Sequence, residues 1–213
     1  MIEGTLVVAA TRMELACHPG FPGGAPEQEA PFALWCDGRT DFVECGPGPT
    51  LAGAGLAWAL GHRLRARVLG IGIAGAFPDS GLEVGRAVWI SGESFGDLGA
   101  WDGETWIDFP ELSLPGLPSE NRFALLLPDG AAGVQAVTVS AVTGSIEGAA
   151  RLRNRYGCDL ESMEGATWVL VCRRFGVPLS QARGISNLVG PRDRSSWKIP
   201  AALSSLKALL LQS

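Results

Sequence analysis

The chain has 213 residues, enough to bury one full core, and its balance of 46% hydrophobic to 18% charged residues is that of an ordinary globular protein. A net charge of −5 argues against nucleic acid or an anionic membrane surface as a partner. No stretch approaches the ~20 apolar residues of a membrane span. The five cysteines are odd in number and form no C-x-x-C pair, which argues against a disulfide framework or a zinc site. Reduced thiols in a cytoplasmic protein are expected. The early apolar run "TLVVAA" is too short for a secretory core. One domain over residues 1–213 is expected.

Short β-branched runs alternate with helical stretches. "TLVVAA" (5–10) reads as a first strand, and "FALW" (32–35) with "DFVEC" (41–45) as a hairpin across "CDGRT". "PTLAGAGLAWALGHRL" (49–64) reads as a helix weakened by its glycines. "ARVLGIGIAGA" (66–76) reads as a buried strand opening into a loop, and "GRAVWISG" (85–92) as another strand. Residues 92–133 are rich in Gly, Pro and aromatics without clear period, which marks a long functional loop. "VQAVTVSAV" (134–142) is a strand. "SIEGAARLRNRYG" (145–157) is a helix with Ser145 as N-cap, Glu147 in its first turn, late arginines and Gly157 as its stop. Met163–Phe175 is expected as the next helix, ended by Gly176 and Pro178. "PLSQARGIS" (178–186) is a strand, and Pro200–Leu211 is the closing helix. The predicted fold is α/β: a central mixed sheet covered on both faces by helices, a three-layer αβα sandwich. Ligands in such sheets bind beyond the strand ends.

The strand ends hold the candidate chemistry. Glu164 is placed in the first turn of its predicted helix. One reading is a carboxylate that favours the helix dipole; the other is an acceptor aimed into a cleft, able to take hydrogen bonds from two neighbouring hydroxyls such as a ribose diol. Met163 beside it is either core or a soft surface for a sugar. Glu14, four residues after a strand in the otherwise apolar "VVAATRMEL", is either solvated or a base facing a cleft. Asn187 ends the last strand, where on its own it reads as an Asx-type turn. The glycines of "GIGIAGAF" allow backbone N–H groups to approach a ligand. His18 and His62, the only histidines, form no H-x-x-H pair, so no metal is expected.

"ATRME", "GIAGAF", "VTGS", "ESMEGAT" and "RGISN" follow one another as they do in the nucleoside phosphorylase/nucleosidase superfamily, and the resemblance runs over nearly the whole chain. It implies a nucleoside phosphorylase-like fold, a small-molecule purine nucleoside as substrate, no cofactor and a homo-oligomer of two or more chains. Phosphorylases of this superfamily carry a Gly-Asp-Pro-x-Arg-type phosphate loop after the first strand. Here "AATRME" stands there, with a carboxylate that repels phosphate, so hydrolysis is expected.

Within the superfamily, the methylthioadenosine/S-adenosylhomocysteine nucleosidases have an aspartate where this chain has Asn187. The segments "ESFGDLGAWDGE" and "RGISNLVGPRDRSSWKIPAAL" resemble instead the futalosine hydrolases. That resemblance implies release of hypoxanthine from futalosine. Glu14 would activate water, Glu164 grip the ribose hydroxyls and Asn187 read the base. Ile73, Ala74, Gly75, Val142, Ser162 and Met163 would complete the substrate site. Glu161 is expected to be structural or to act behind the site. Residues 94–106 are expected over the 5′ side, with Phe95, Trp101 and Trp106 on the aromatic tail and Arg192 or Arg12 on its benzoate. The alternatives are an adenine or aminodeoxyfutalosine nucleosidase, or a silent nucleoside binder.

Overall fold

The computed structural model describes residues 2–212. In chain order the elements are β1 (Thr5–Ala9), α1 (Arg12–Leu15), β2 (Ala33–Asp37), β3 (Thr40–Glu44), α2 (Pro49–His62), β4 (Arg67–Ala76), β5 (Ala87–Phe95), β6 (Gly99–Asp102), β7 (Thr105–Asp108), β8 (Phe123–Ala124), β9 (Gly133–Thr138), α3 (Ile146–Tyr156), β10 (Leu160–Ser162), α4 (Gly165–Phe175), β11 (Leu179–Leu188) and α5 (Ile199–Leu210), with a 3₁₀ turn at Arg194–Ser196 before α5.

The main sheet runs β10-β9-β5-β11-β4-β1-β3-β2, and β8 pairs with β5. It is mixed: β1, β3, β4 and β11 run parallel, whereas β5 and β2 oppose their neighbours β11 and β3. β10 pairs with both β9 and β4, so β10, β9, β5, β11 and β4 close into a ring at one end of the sheet. The alternation along β1 shows how the layers form. Leu6 and Val8 face a cluster with Leu56 of α2 and Trp168 of α4, whereas Val7 and Ala9 face a cluster with Leu206 and Leu210 of α5. A strand apolar on both faces must be covered twice, and these helices do so.

α3 follows its sequence signals closely. Ser145 Oγ accepts from the Gly148 N–H, and Gly157 ends the helix in the left-handed conformation. α4 starts later than its periodicity predicts. Leu160–Ser162 is held in the sheet between β9 and β4, so the helix begins at Gly165 and Glu164 is its N-cap rather than a first-turn residue. The predicted loop 92–133 is also corrected: β6 and β7 form a separate antiparallel hairpin within it, and β8 adds to the main sheet.

α5 lies directly on β11. A Cβ at Gly184 would collide with the Ala202 carbonyl oxygen of α5, which is backbone and cannot turn aside. Overpacking of this kind costs about 1–3 kcal/mol. Gly184→Ala is therefore expected to lower the Tm by several degrees in a thermal melt, at about 2–4 °C per kcal/mol for a chain of this size. An unchanged Tm would mean that α5 does not rest this closely on the strand.

Candidate active site

The carboxyl ends of β1, β4 and β11 open onto a cavity of ≈ 230 Å³. Glu14, Glu164 and Asn187 all line it, as do Ile73, Ala74, Gly75, Val142, Ser162 and Met163. The strand ends converge there because β4 is paired with β1 on one side and β11 on the other.

Glu14 is positioned by a capping box around the single turn of α1. Thr11 Oγ1 accepts from the Glu14 N–H, and Glu14 Oε2 accepts from the Thr11 N–H at 3.0 Å and hydroxyl at 2.8 Å. The other oxygen, Oε1, accepts from the Ile73 N–H at 2.9 Å. Three donors thus fix a carboxylate that is only 5% exposed, and tie the end of β1 to β4.

Glu164 is also buried, yet makes no capping bond to its own helix. Its Oε1 accepts from the Gly48 N–H at 3.2 Å, ahead of α2. Its Oε2 lies 3.4 Å from Nη1 of Arg183, a wholly buried arginine of β11. Burial pushes the Glu164 carboxyl above the usual range, and the Arg183 guanidinium pulls it back. Arg183 itself lies over the Trp168 ring at 4.8 Å, and its Nη2 donates to Gln181 Oε1 at 3.4 Å. A Cβ at Gly72 would collide with Arg183 Nη1 and lie 2.9 Å from Glu14 Oε1. The bare backbone at Gly72 leaves room for both the Arg183 guanidinium and the Glu14 carboxylate.

Asn187 sits at a bulge of β11, where the register against β4 shifts between Ile185 and Asn187. Its Oδ1 accepts from the Ser186 hydroxyl at 2.7 Å and its Nδ2 donates to the Leu188 carbonyl at 2.9 Å. Those bonds orient the amide and leave one N–H and one oxygen lone pair for a ligand. Glu161 acts as a brace: its carboxylate accepts from the Thr143 N–H at 2.9 Å and from the Thr143 hydroxyl, holding residues 142–143 against the cavity.

The aromatic prediction for residues 94–106 is corrected. Phe95 belongs to the core, edge-on to Phe109 and Phe123. Trp101 and Trp106 pack against each other on the β6–β7 hairpin and beneath Arg155, lining a neighbouring cleft. Arg12 stacks over Trp35 and donates to the Gly24 carbonyl, outside the cavity lining, whereas Arg192 lines it. Among the described residues, no group of three His, Cys, Asp or Glu side chains is placed to hold a metal.

Sequence reasoning missed the layer behind the site: Arg183, Gln181, Thr138 and Glu93. Glu93 of β5 is completely buried; its Oε2 accepts from the Thr138 hydroxyl, and Thr138 Oγ1 also accepts from the Ala166 N–H at the start of α4. The available signal was Arg183, a charge inside the predicted strand 178–186, which is rare without a partner; Glu93 fell just beyond the predicted strand 85–92 and gave none.

A model of the phosphorylase superfamily matches residues 132–212. The futalosine hydrolase of Thermus thermophilus is 34% identical over 212 residues, covering 94% of this chain and 91% of its own length. Among solved structures, a 5′-methylthioadenosine/S-adenosylhomocysteine nucleosidase from Neisseria meningitidis in complex with methylthio-immucillin-A superposes with a TM-score of 0.77 at 20% identity, covering 98% of this chain and 97% of that one. The futalosine hydrolase of Helicobacter pylori superposes with a TM-score of 0.75 at 17% identity, with 98% and 97% covered.

The layer behind the site has a pH signature. Burial pushes the Glu93 carboxyl up to about 7 against Arg183 and Thr138, which pull it down. The folded chain therefore keeps this proton when an unfolded glutamate, near 4.5, has lost it. Folded protein binds more protons across that interval, so the Glu93 contribution to stability falls as pH rises from about 4.5 to about 7. Glu93→Gln removes this dependence. In thermal melts, variant stability relative to the wild type should climb across that window and level off above it. Parallel curves would show that Glu93 does not hold a proton there.

Proposed function

The chain belongs to the futalosine hydrolase family, and from that membership we propose that it hydrolyses the purine N-glycosidic bond of futalosine. The products are hypoxanthine and dehypoxanthine futalosine, as in the futalosine route to menaquinone. The observation that carries the substrate choice is Asn187, an amide oriented by Ser186 and Leu188 in the same cavity as two buried carboxylates. Its remaining N–H can donate to a 6-oxo oxygen while its carbonyl accepts from a protonated N7. The donation to the 6-oxo oxygen strengthens as electron density builds on the departing base, while the carbonyl holds the N7 proton in place.

The ribose fits the other side of the chemistry. Glu164 accepts from the 2′ and 3′ hydroxyls and stabilises the oxocarbenium-like sugar, as carboxylates do in glycoside hydrolysis. Arg183 and the Gly48 N–H hold it in place from behind. Met163 packs on the sugar, and the backbone of Ile73, Ala74 and Gly75 with Val142 and Ser162 forms the walls. Glu14 orients a water and takes its proton as the C1′–N9 bond breaks. The departing hypoxanthine takes a proton at N7 from solvent at the mouth of the cavity, and the proton that Glu14 removes from the attacking water returns to solvent, so that one water is consumed per bond broken. A carboxylate in the nucleophile position disfavours phosphate, which supports hydrolysis over phosphorolysis. Side chains and water suffice for this scheme. We further propose one nucleosidase domain, acting as a cytoplasmic homo-oligomer.

The test is a panel of futalosine, aminodeoxyfutalosine, methylthioadenosine and inosine with and without phosphate. Hypoxanthine release from futalosine should be fastest and indifferent to phosphate, and the sugar product should carry a hydroxyl at C1. A phosphorylated sugar in the mass spectrum would move the protein to the phosphorylases. Glu14→Gln should reduce kcat ~10²–10⁴-fold. Asn187→Asp should lower kcat/KM on futalosine about a hundred- to a thousandfold, with a smaller loss on aminodeoxyfutalosine. Equal losses on the two substrates would remove Asn187 as the group that reads the base.

A further inference from the structure

Three carboxylates line the cavity, Glu14, Glu161 and Glu164, and against them stands a single cation, Arg192. Arg192 is exposed, and among the described residues its side chain makes no ion pair or hydrogen bond. The adjacent carboxylate does not neutralise it. Asp193 is turned to the 3₁₀ segment, where its Oδ1 accepts from the Ser195 N–H at 3.0 Å and hydroxyl at 2.6 Å. What Arg192 does touch is an aromatic ring: its guanidinium carbon lies 5.8 Å from the centre of Trp197, which also lines the cavity. A cation without a counter-ion and a half-buried ring thus share one wall of the cavity, reached by the chain that runs on from Asn187.

We propose that Arg192 and Trp197 form the subsite for the aromatic carboxylate at the 5′ end of the substrate. The inference rests on the futalosine reading and adds the residues that recognise its tail. The guanidinium fork matches both oxygens of a carboxylate, and its planar face and the indole suit an aryl ring. The charge pattern supports one orientation. An anionic tail is repelled by the glutamates that hold the sugar and the water, and only the Arg192 side of the lining attracts it. Base at Asn187, ribose at Glu164 and tail at Arg192 then place each substrate group against its complement.

The experiment compares futalosine, its methyl ester and inosine on the wild type and on Arg192→Met, which keeps the aliphatic stem and removes the charge. A charged hydrogen-bonded contact of this kind contributes roughly a ten- to hundredfold difference in binding. The wild type should show a KM about that much lower for futalosine than for the ester, and Arg192→Met should treat acid and ester alike. The loss on inosine, which has no tail, should be at least about tenfold smaller than the loss on futalosine. If the variant still prefers the acid, the subsite is not at Arg192. Equal losses on inosine and futalosine would make Arg192 a support for the 188–197 segment and overturn the proposal. A wild type that releases hypoxanthine from inosine but not from futalosine would remove the functional reading itself, a separate result from either of these.

Discussion

A buried arginine paired with a buried glutamate is the constraint on which the site depends. Glu164 is out of water, and an isolated carboxylate there would take up a proton and lose its capacity as a double acceptor. Arg183, with no exposure, supplies the opposing charge from a neighbouring strand. The arginine in turn needs room, and the bare backbone at Gly72 provides it next to Glu14. It also needs support, which comes from the Trp168 face and Gln181. Strand order, glycine placement and the late start of α4 all serve this one arrangement.

Much of this was legible because it is local. The N-cap serine and terminal glycine of α3 are short-range signals, and both formed as the sequence implies. Glu14 was read as either solvated or facing a cleft, and the structure turns it into the cavity; its capping box with Thr11 went unread although the two residues are three apart in the chain. Glu14, Met163, Glu164 and Asn187 were singled out at strand and helix ends, where α/β sheets bind ligands, the family resemblance supplied most of the wall residues, and all nine candidates line one cavity.

What was not legible depends on pairing across long distances. The helical period near Met163 does not reveal that Leu160–Ser162 is captured between β9 and β4, so the start of α4 was misplaced. Phe95 looks like a loop aromatic until β5 extends to include it and Phe109 and Phe123 close around it. Arg183 and Glu93 lie on neighbouring parts of the sheet but ninety residues apart in the chain, and nothing in either local stretch announces the other. Buried polar layers are assembled by tertiary contact, so single-sequence reading sees their members only as misplaced charges.

Glu164 accepts from the Gly48 N–H and pairs with Arg183, while Nε of Arg183 and one carboxylate oxygen of Glu93 are buried without a hydrogen-bond partner among the described residues. The most direct measurement is the protonation state of Glu164, read from the ¹³Cδ chemical shift of labelled glutamate and assigned by its disappearance in Glu164→Gln. The account predicts an ionised Glu164 at pH 7 in the wild type and a protonated one in a folded Arg183→Met protein. A Glu164 that is already protonated at pH 7 in the wild type would contradict it.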